Sequence, residues 1–362
     1  MHKKILATAI SFALAAPAMA ITLVDDGTNK LSVGGRIGFK AQTEKSSNFD
    51  NDSSRINFAF ESKLTDTLTG YAKTEWSFKG QDKYDDNEKE DLLSNRLGLI
   101  GVKHETFGAV QIGKQWSVYS SIANWTDEMP VGGGNAMGMY EGYSGDGGVN
   151  GTGRADDAIS YRFSMNGFNL GLQYQAEEQS GTVSNTDANR YETNRTWKRD
   201  SGAQIALSYD FNFGMSVGYT YNQTQFTQRE DTTNHVVAVK YDSEKVYAAA
   251  TYGKFENQTN AAAGAGYAGN GTFDKESTGI ELFAQYNIVE NIGVYAGYNQ
   301  LSVDEAHDGT SSDGKLDYTM FGAVYKIGPM QFAAEYTFDN SKGHTGNSDK
   351  DDFLTVHARY YF

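Results

Sequence analysis

The sequence of 362 residues contains no cysteine and only three prolines. Without cysteine the chain can form no disulfide, no zinc–thiolate site and no thiol nucleophile. No apolar run is as long as the roughly 18 residues that a membrane-spanning helix needs. Basic residues are also scarce, at 31 against 46 acidic residues. This balance argues against nucleic acid as a partner, because phosphate binding needs a basic surface.

The first twenty residues predict export from the cytoplasm. Lys3 and Lys4 precede an apolar run at residues 5–16, and Ala18-Met19-Ala20 forms a small-x-small cleavage site. These features are typical of a secretory signal peptide. We expect residues 1–20 to be removed and residues 21–362 to form one domain. Loss of the two lysines lowers the formal net charge from −15 to −17.

The chain is rich in glycine (40), tyrosine (23) and phenylalanine (20), and apolar and polar residues alternate along most of it. A period of two is typical of strands with one apolar and one polar face. The C-terminal run is the clearest example, because Leu354, Val356, Ala358, Tyr360 and Phe362 share one face. A mean hydropathy of −0.56 fits a soluble β-protein or a membrane barrel, in which only every second residue is apolar.

Sixteen alternating runs follow one another from Lys30 to Phe362. Their connections alternate between short turns, such as Asn166-Gly167, and long polar loops, such as 178–201 and 256–277. Short turns at one rim and long loops at the other are typical of transmembrane barrels. Periodicity alone also allows a soluble sandwich, but the connections, the strand number and the signal peptide favour another fold. We predict an all-β, sixteen-stranded antiparallel transmembrane barrel in the outer membrane.

One segment, 116–158, interrupts this rhythm. It contains Pro130, the run Gly132-Gly133-Gly134 and carboxylates at Asp127, Glu128, Glu141 and Asp146. A loop this long inside a compact domain is usually functional. We expect it to fold into the bore of the barrel and narrow it. By strand parity Arg36 and Arg55 face the same bore, so opposed charges would favour hydrated solutes over apolar ones.

Nothing in the sequence predicts catalysis. The histidines outside the signal segment show no spacing typical of a catalytic triad or a metal site. The run Gly132-Gly133-Gly134 lacks the Lys-Ser/Thr pair of a phosphate-binding loop. The acidic clusters do not have the spacing of an EF-hand loop. We predict no catalytic residue, no metal and no cofactor.

The sequence resembles the trimeric general diffusion porins of Gram-negative outer membranes, and among them the marine vibrio-type porins. The resemblance covers the whole chain and is carried by LSVGGRIGF, NDSSRINFAF, SNRLGLIGVKHETFGAVQIGKQW, WTDEMPVGGGN, GTGRADDAISYRF and the terminal RYYF. It implies a sixteen-stranded barrel whose third external loop bends into the channel. It also implies a homotrimer, with Gly98 and Gly101 in the contact region. Further implied partners are outer-membrane lipid, lipopolysaccharide and, through the C-terminal strand, the barrel assembly machinery.

The same resemblance assigns residues to the channel. The basic wall of the constriction corresponds to Arg36, Arg55, Arg96 and Arg154, and positions near the pore correspond to Lys114 and Trp116. The loop acid corresponds to Asp127. Val131 and Asn135 stand where many enteric relatives have acids, so the acidic side rests on Asp127 with Glu128, Glu141 or Asp146. Tyr360 and Phe362 are expected at the membrane interface.

The function implied is passive diffusion of ions and small hydrophilic solutes, with a preference for cations. One alternative is a channel specific for sugars or oligosaccharides, although the inward aromatic residues form no obvious track. The other is an adhesin or phage receptor that acts through its external loops.

Overall fold

The computed structural model describes residues 20–43, 49–78, 93–140, 146–177, 180–183, 195–259, 273–306, 314–342 and 352–362. The predicted signal peptide, apart from Ala20, and the predicted channel acid Glu141 lie outside these residues. Removal of residues 1–20 and a pore role for Glu141 therefore stay predictions.

The described residues form nineteen strands of one antiparallel sheet. Three are short additions to the sheet: β1 (Ile21–Asp25), β3 (Asp50–Asn51) and β10 (Ser180–Val183). The other sixteen form the wall: β2 (Asn29–Gln42), β4 (Arg55–Lys63), β5 (Leu68–Phe78), β6 (Leu93–His104), β7 (Gly108–Trp116), β8 (Arg154–Met165), β9 (Phe168–Gln175), β11 (Arg195–Asp210), β12 (Met215–Thr227), β13 (Thr232–Asp242), β14 (Val246–Thr259), β15 (Phe273–Val289), β16 (Ile292–Ala306), β17 (Lys315–Ile327), β18 (Met330–Asp339) and β19 (Phe353–Tyr361).

The sheet closes into a barrel because β19 pairs with β2, from Thr355 opposite Gln42 to Tyr361 opposite Arg36. Beyond that pairing, Gly35 and Phe362 exchange two backbone hydrogen bonds of 2.8 and 3.1 Å. Closure removes the free edge that an open sheet would present. The sixteen-stranded antiparallel barrel predicted from the sequence is confirmed.

Strand bounds differ from the predicted ones mainly at the rim that carries the long loops. β11 begins at Arg195 and β8 at Arg154, whereas alternation in the sequence begins near 203 and 157. Backbone pairing continues past the region of alternation, because polar residues outside the apolar belt can still form ladder hydrogen bonds. At the other rim, Asn166 (φ 52°) and Gly167 (φ 85°) form the predicted type I′ turn.

Two short helices interrupt the wall between β7 and β8: α1 (Ser120–Ala123) and a 3₁₀ helix (Asn124–Thr126). Among the described residues, no helix has the length and apolar character needed to cross a membrane.

The outer face of the wall is apolar and the inner face is polar. On β15, Leu282 is 46% exposed whereas its neighbour Glu281 is fully buried. The same reversal recurs on other strands, where outward Ile100, Val237 and Phe321 are each at least half exposed. Because each square ångström of apolar surface in water costs about 25 cal/mol, this outer face fits lipid rather than water.

Of the two glycines predicted at an intersubunit contact, only Gly98 is on the outer face. It pairs with Thr74 and is exposed. Gly101 lies on the inner face, where an added Cβ would be 2.5 Å from Cζ of Tyr71. The prediction for Gly101 is wrong, because residues an odd number of positions apart in a strand point to opposite faces.

Leu282→Arg tests the assignment of the outer face to lipid. A charge in the middle of the lipid-facing belt costs about 2–4 kcal/mol, so we expect a lower denaturant midpoint for unfolding from vesicles. Gln285→Arg places the same charge on the inner face of the same strand, and its midpoint should change little. Equal losses in the two variants would contradict the assignment.

Candidate functional site

The segment 117–153 leaves the sheet after β7 and rejoins it at β8; we call it the inner segment. Its two ends meet where Ser117 donates a backbone hydrogen bond of 2.9 Å to the Gly153 carbonyl. The Ser117 hydroxyl also donates to the Thr152 carbonyl, at 2.6 Å. These bonds close the segment at its base, next to the pairing of Trp116 with Arg154.

The first part of the inner segment packs on small inward residues of the wall. Val118, Ile122 and Trp125 are buried in one cluster with Ala206, Ala238 and Ala249 of β11, β13 and β14. Gly218 of β12 completes this surface, because a Cβ there would lie 2.9 Å from Ile122 and from Trp125. Larger inward side chains on these strands would hold the helices away from the wall.

Two wall carboxylates bind the middle of the inner segment. Glu281 of β15 accepts a hydrogen bond of 2.7 Å from the Ala136 N–H and another from the Thr126 hydroxyl. Glu335 of β18 accepts bonds of 3.0 Å from the Gly132 N–H and 2.9 Å from the Tyr295 hydroxyl. Both wall acids are at most 2% exposed. They therefore lie beneath the segment instead of adding charge to the open bore.

The bonds of Asn135 explain why an amide occupies this position. Its backbone N–H donates to Oδ1 of Asn299 at 3.0 Å, and its Nδ2 donates to the Tyr318 hydroxyl at 2.8 Å. The Tyr318 hydroxyl in turn donates to the Gly133 carbonyl at 2.8 Å. An ionised carboxylate at position 135 could not donate to Tyr318.

An apolar cluster fills the space between the inner segment and β13–β17. The segment contributes Tyr119, Met129 and Met137, among others, and the wall contributes Phe255, Phe283 and Met320. Methionine side chains suit such an irregular gap because they are unbranched and flexible. The strand pattern gave no signal for this core, since it identifies only the outward apolar face.

Asp127 and Glu128 begin the turn that leads to Pro130. Asp127 accepts hydrogen bonds from the Gly134 N–H (2.9 Å) and the Tyr140 hydroxyl (3.0 Å). Burial raises the pKa of Asp127 to about 6 even though both bonds favour the ionised form. The side chain of Glu128 is exposed toward the bore, but the surrounding wall shields it from bulk water. This burial, together with repulsion from Asp127, raises the pKa of Glu128 to about 7.

Asp146 contacts the basic residues directly. Its Oδ2 lies 2.9 Å from Nζ of Lys114 and 3.6 Å from Nε of Arg154. The Arg154 guanidinium stacks over the Trp116 ring, 5.6 Å from its centroid. Four of the predicted residues thus form one cluster, in which the acid compensates the two cations instead of facing them across the bore.

The remaining predicted arginines lie on β2, β4 and β6. Arg36 and Arg55 are direct partners in the register of β2 and β4, and Nε of Arg36 donates to the Ser53 carbonyl at 3.0 Å. Arg96 lies at a bulge opposite Glu75 and Trp76, and its Nε donates to Oε1 of Glu75 at 2.7 Å. Bulges re-aim side chains, which brings Arg96 to the inner face.

Arg359 of β19 and Asp52 extend this arginine group. Nε and Nη2 of Arg359 donate to Asp52 at 2.5 and 2.9 Å, and Nδ1 of His357 lies 3.0 Å from Asp52. Strand parity places Arg359 on the inner face, but no sequence pattern indicated Asp52, which lies between two strands. Among the described residues, the hydrogen bonds and ion pairs of the inner segment join it to strands from β7 to β18, whereas Arg36, Arg55 and Arg359 lie on β2, β4 and β19.

A family model described as Gram-negative porin matches residues 7–343. This chain belongs to the Gram-negative porin family. The porin is 27% identical over 387 residues to outer membrane porin F of Xenorhabdus nematophila, covering 100% of this chain and 98% of that protein. It is 25% identical to outer membrane porin PhoE of Salmonella typhimurium, with 100% of both chains covered.

Solved structures show the same fold. OmpF of Salmonella typhi has a TM-score of 0.73 to this porin at 21% identity, covering 94% of this chain and 100% of that chain. OmpT of Vibrio cholerae has a TM-score of 0.64 at 18% identity, covering 94% and 99%. The porin is therefore a protein of the outer membrane, in a family of channels.

Glu281→Ala tests the attachment of the inner segment. The change leaves the buried N–H of Ala136 without its acceptor, at a cost of about 1–3 kcal/mol, and leaves the Thr126 hydroxyl only the Thr251 hydroxyl as a partner. We expect larger open-channel current fluctuations and a higher single-channel conductance in planar bilayers. Glu281→Gln retains an acceptor oxygen and should behave nearly as the unaltered protein. Quiet, unchanged currents in Glu281→Ala would show that this residue does not hold the segment.

Proposed function

We propose that this porin is a passive diffusion channel for ions and small hydrophilic solutes, and that the inner segment narrows its bore. The observation that supports this function best is the attachment of the described residues 117–140 and 146–153 to the inner face of the wall. A segment bound there by Glu281, Glu335 and Asn299 occupies part of the cross-section. The polar inner face elsewhere suits hydrated solutes, which pass according to size and charge.

The constriction that we propose has a basic side and an acidic side. Arg36, Arg55 and Arg96 form the basic side, on β2, β4 and β6. Asp127 and Glu128 form the acidic side, and Glu141 is proposed there from the sequence. Lys114, Arg154 and Asp146 form a compensated cluster at the base of the segment. Such opposed charges favour polar solutes over apolar ones.

We further propose a preference for cations. The chain has 46 acidic and 31 basic residues, so its overall potential attracts cations. Asp146 supports the same preference by compensating two cations of the wall. The positive charges of Arg36 and Arg55 on the wall oppose this preference, which makes these residues the most informative to change.

Assembly and partners are proposed from the family. We propose a homotrimer in which Gly98 lies at the contact, and lipid and lipopolysaccharide around the apolar outer face. Tyr360 is 46% exposed on that face, which suits the membrane interface. Phe362 completes the closure of the barrel through its two backbone hydrogen bonds with Gly35. We propose that the barrel assembly machinery recognises this C-terminal strand. A sugar-specific channel is less well supported, because Phe283 packs beneath the inner segment and cannot line an aromatic track.

Charge-neutralising variants test the two sides of the constriction. We expect the reversal potential under a salt gradient to show a lower cation-to-anion permeability ratio in Asp127→Asn. In the double variant Arg55→Ser, Arg96→Ser we expect a higher ratio. Each change should alter the permeability ratio about two-fold, as for partly screened charges. Conductance that is present but unaffected in both variants would contradict the site, and absence of conductance would contradict the channel itself.

Acidification should reduce the cation preference well above pH 4. Asp127 and Glu128, with pKa values of about 6 and 7, take up protons between pH 8 and pH 5, whereas carboxylates with ordinary values near 4 stay ionised. Reversal potentials measured from pH 8 to pH 5 should therefore show a falling cation-to-anion permeability ratio. The double variant Asp127→Asn, Glu128→Gln should flatten this dependence, and Glu105→Gln in a short turn should leave it intact. A step that survives in the double variant would assign it to other groups.

A further inference from the structure

Arg199 of β11 is a fully buried charged residue that the proposed constriction does not use. Its Nη1 donates to the carbonyls of Gly148 and Val149 at 3.1 and 3.2 Å and to Oδ1 of Asp156 at 3.1 Å. Its Nε donates to the Ala176 carbonyl at 3.0 Å. Burial of a guanidinium costs several kcal/mol unless it is paired and hydrogen-bonded. Here two of the hydrogen bonds go to carbonyls of the inner segment, and the two nearby carboxylates lie on β8.

A bulge in β8 brings two adjacent carboxylates to Arg199. Gly113 pairs with Ala158 and Gln115 with Ala155, so Asp156 and Asp157 together oppose one residue of β7. Asp157 has a left-handed backbone (φ 47°), and its Oδ2 lies 3.7 Å from Nη2 of Arg199. In a regular strand these neighbours would point to opposite faces. The bulge therefore gives the buried guanidinium its counter-charge.

The hydrogen bonds of Gly148 connect Arg199 to the charged cluster at the base of the segment. The Gly148 carbonyl is held by Arg199 and by Nε2 of Gln175, at 3.1 and 2.8 Å. The N–H of the same residue donates to Oδ1 of Asp146 at 3.0 Å. The other carboxylate oxygen of Asp146 lies between Lys114 and Arg154. Arg199 is thus linked to these two cations through one turn of backbone and one carboxylate.

We propose that Arg199 is a positioning residue for ion selectivity, which acts by holding Asp146 against Lys114 and Arg154. Without the hydrogen bonds from Arg199, the turn at 146–149 moves away from the wall and exposes Lys114 and Arg154 to the bore. The planar fork of arginine, with donors directed at several acceptors, suits this role, whereas lysine offers a single ammonium group. The proposal rests on the proposed channel function.

The sign of the selectivity change separates positioning from simple charge removal. Removing the charge of Arg199 takes one positive charge away from Asp156 and makes the local net charge more negative, and this effect alone would increase the cation preference. Displacement of Asp146 from Lys114 and Arg154 has the opposite effect and lowers the cation preference. The double variant Arg199→Met, Asp156→Asn removes one charge of each sign, so its net local charge is unchanged and only the positioning effect remains.

The experiment measures reversal potentials of the assembled, full-length porin in planar bilayers under a potassium chloride gradient. In Arg199→Met, Asp156→Asn we expect the cation-to-anion permeability ratio to fall about two-fold, as for a partly screened charge. Asp146→Asn should produce a shift of the same sign. Adding Asp146→Asn to the first variant should change the ratio little further, because residues that act through one another are not additive. Arg199→Lys retains the charge and should shift the ratio in the same direction by a smaller amount.

A shift toward cations, no shift, or full additivity with Asp146→Asn would overturn the proposal. If Arg199→Met, Asp156→Asn does not assemble, Arg199→Lys with and without Asp146→Asn gives the same test. A barrel that is merely less stable would lose yield or heat resistance without a shift that depends on Asp146. Conductance of the unaltered protein, with its response to Asp127→Asn, tests the channel function separately. A channel that conducts and responds there, but not to Arg199, leaves the function standing and removes only the positioning role.

Discussion

Backbone hydrogen bonding in lipid is the constraint on which the rest of the structure depends. An unpaired N–H or C=O in the hydrocarbon core costs several kcal/mol, so a sheet can span the membrane only if it closes. Here closure is made by the register of β19 with β2 and by the two bonds between Gly35 and Phe362. The closed wall then fixes which side chains face lipid and which face the bore.

Closure creates an interior that the strands alone do not fill, and the inner segment builds a second core there. Its helices pack on alanines and on Gly218, its methionines meet inward aromatic residues, and its backbone donors bind buried wall carboxylates. The outer face of the wall is therefore in contact with lipid, and part of its inner face is a packing surface for the inner segment. Arg36, Arg55 and Arg359 lie on β2, β4 and β19, apart from the strands that form this second core.

The acids of this porin perform three different tasks according to their surroundings. Glu281 and Glu335 accept backbone hydrogen bonds under the segment, and Asp146 and Asp52 compensate arginines or lysine at short distance. Asp127 and Glu128 are enclosed without an ion pair to a described residue, and burial raises the pKa of both. A count of charges in the sequence therefore indicates the overall potential of the protein but not which charges a solute meets at the constriction.

The sequence by itself determined the wall: its strand number, its inward and outward faces, the Asn166-Gly167 turn and the position of the one long interruption. These are local properties, because strand parity and turn chemistry depend on neighbours within a few residues. The sequence also indicated, through resemblance, that Lys114, Trp116, Arg154 and the arginines of β2, β4 and β6 belong to the channel. Tertiary structure alone decided that Asp146 lies against Lys114 and Arg154, and that Arg199, Glu281 and Glu335 hold the segment. Those contacts join residues up to about two hundred positions apart, as Gly132 to Glu335 shows. Only the closed register of the barrel brings such residues together.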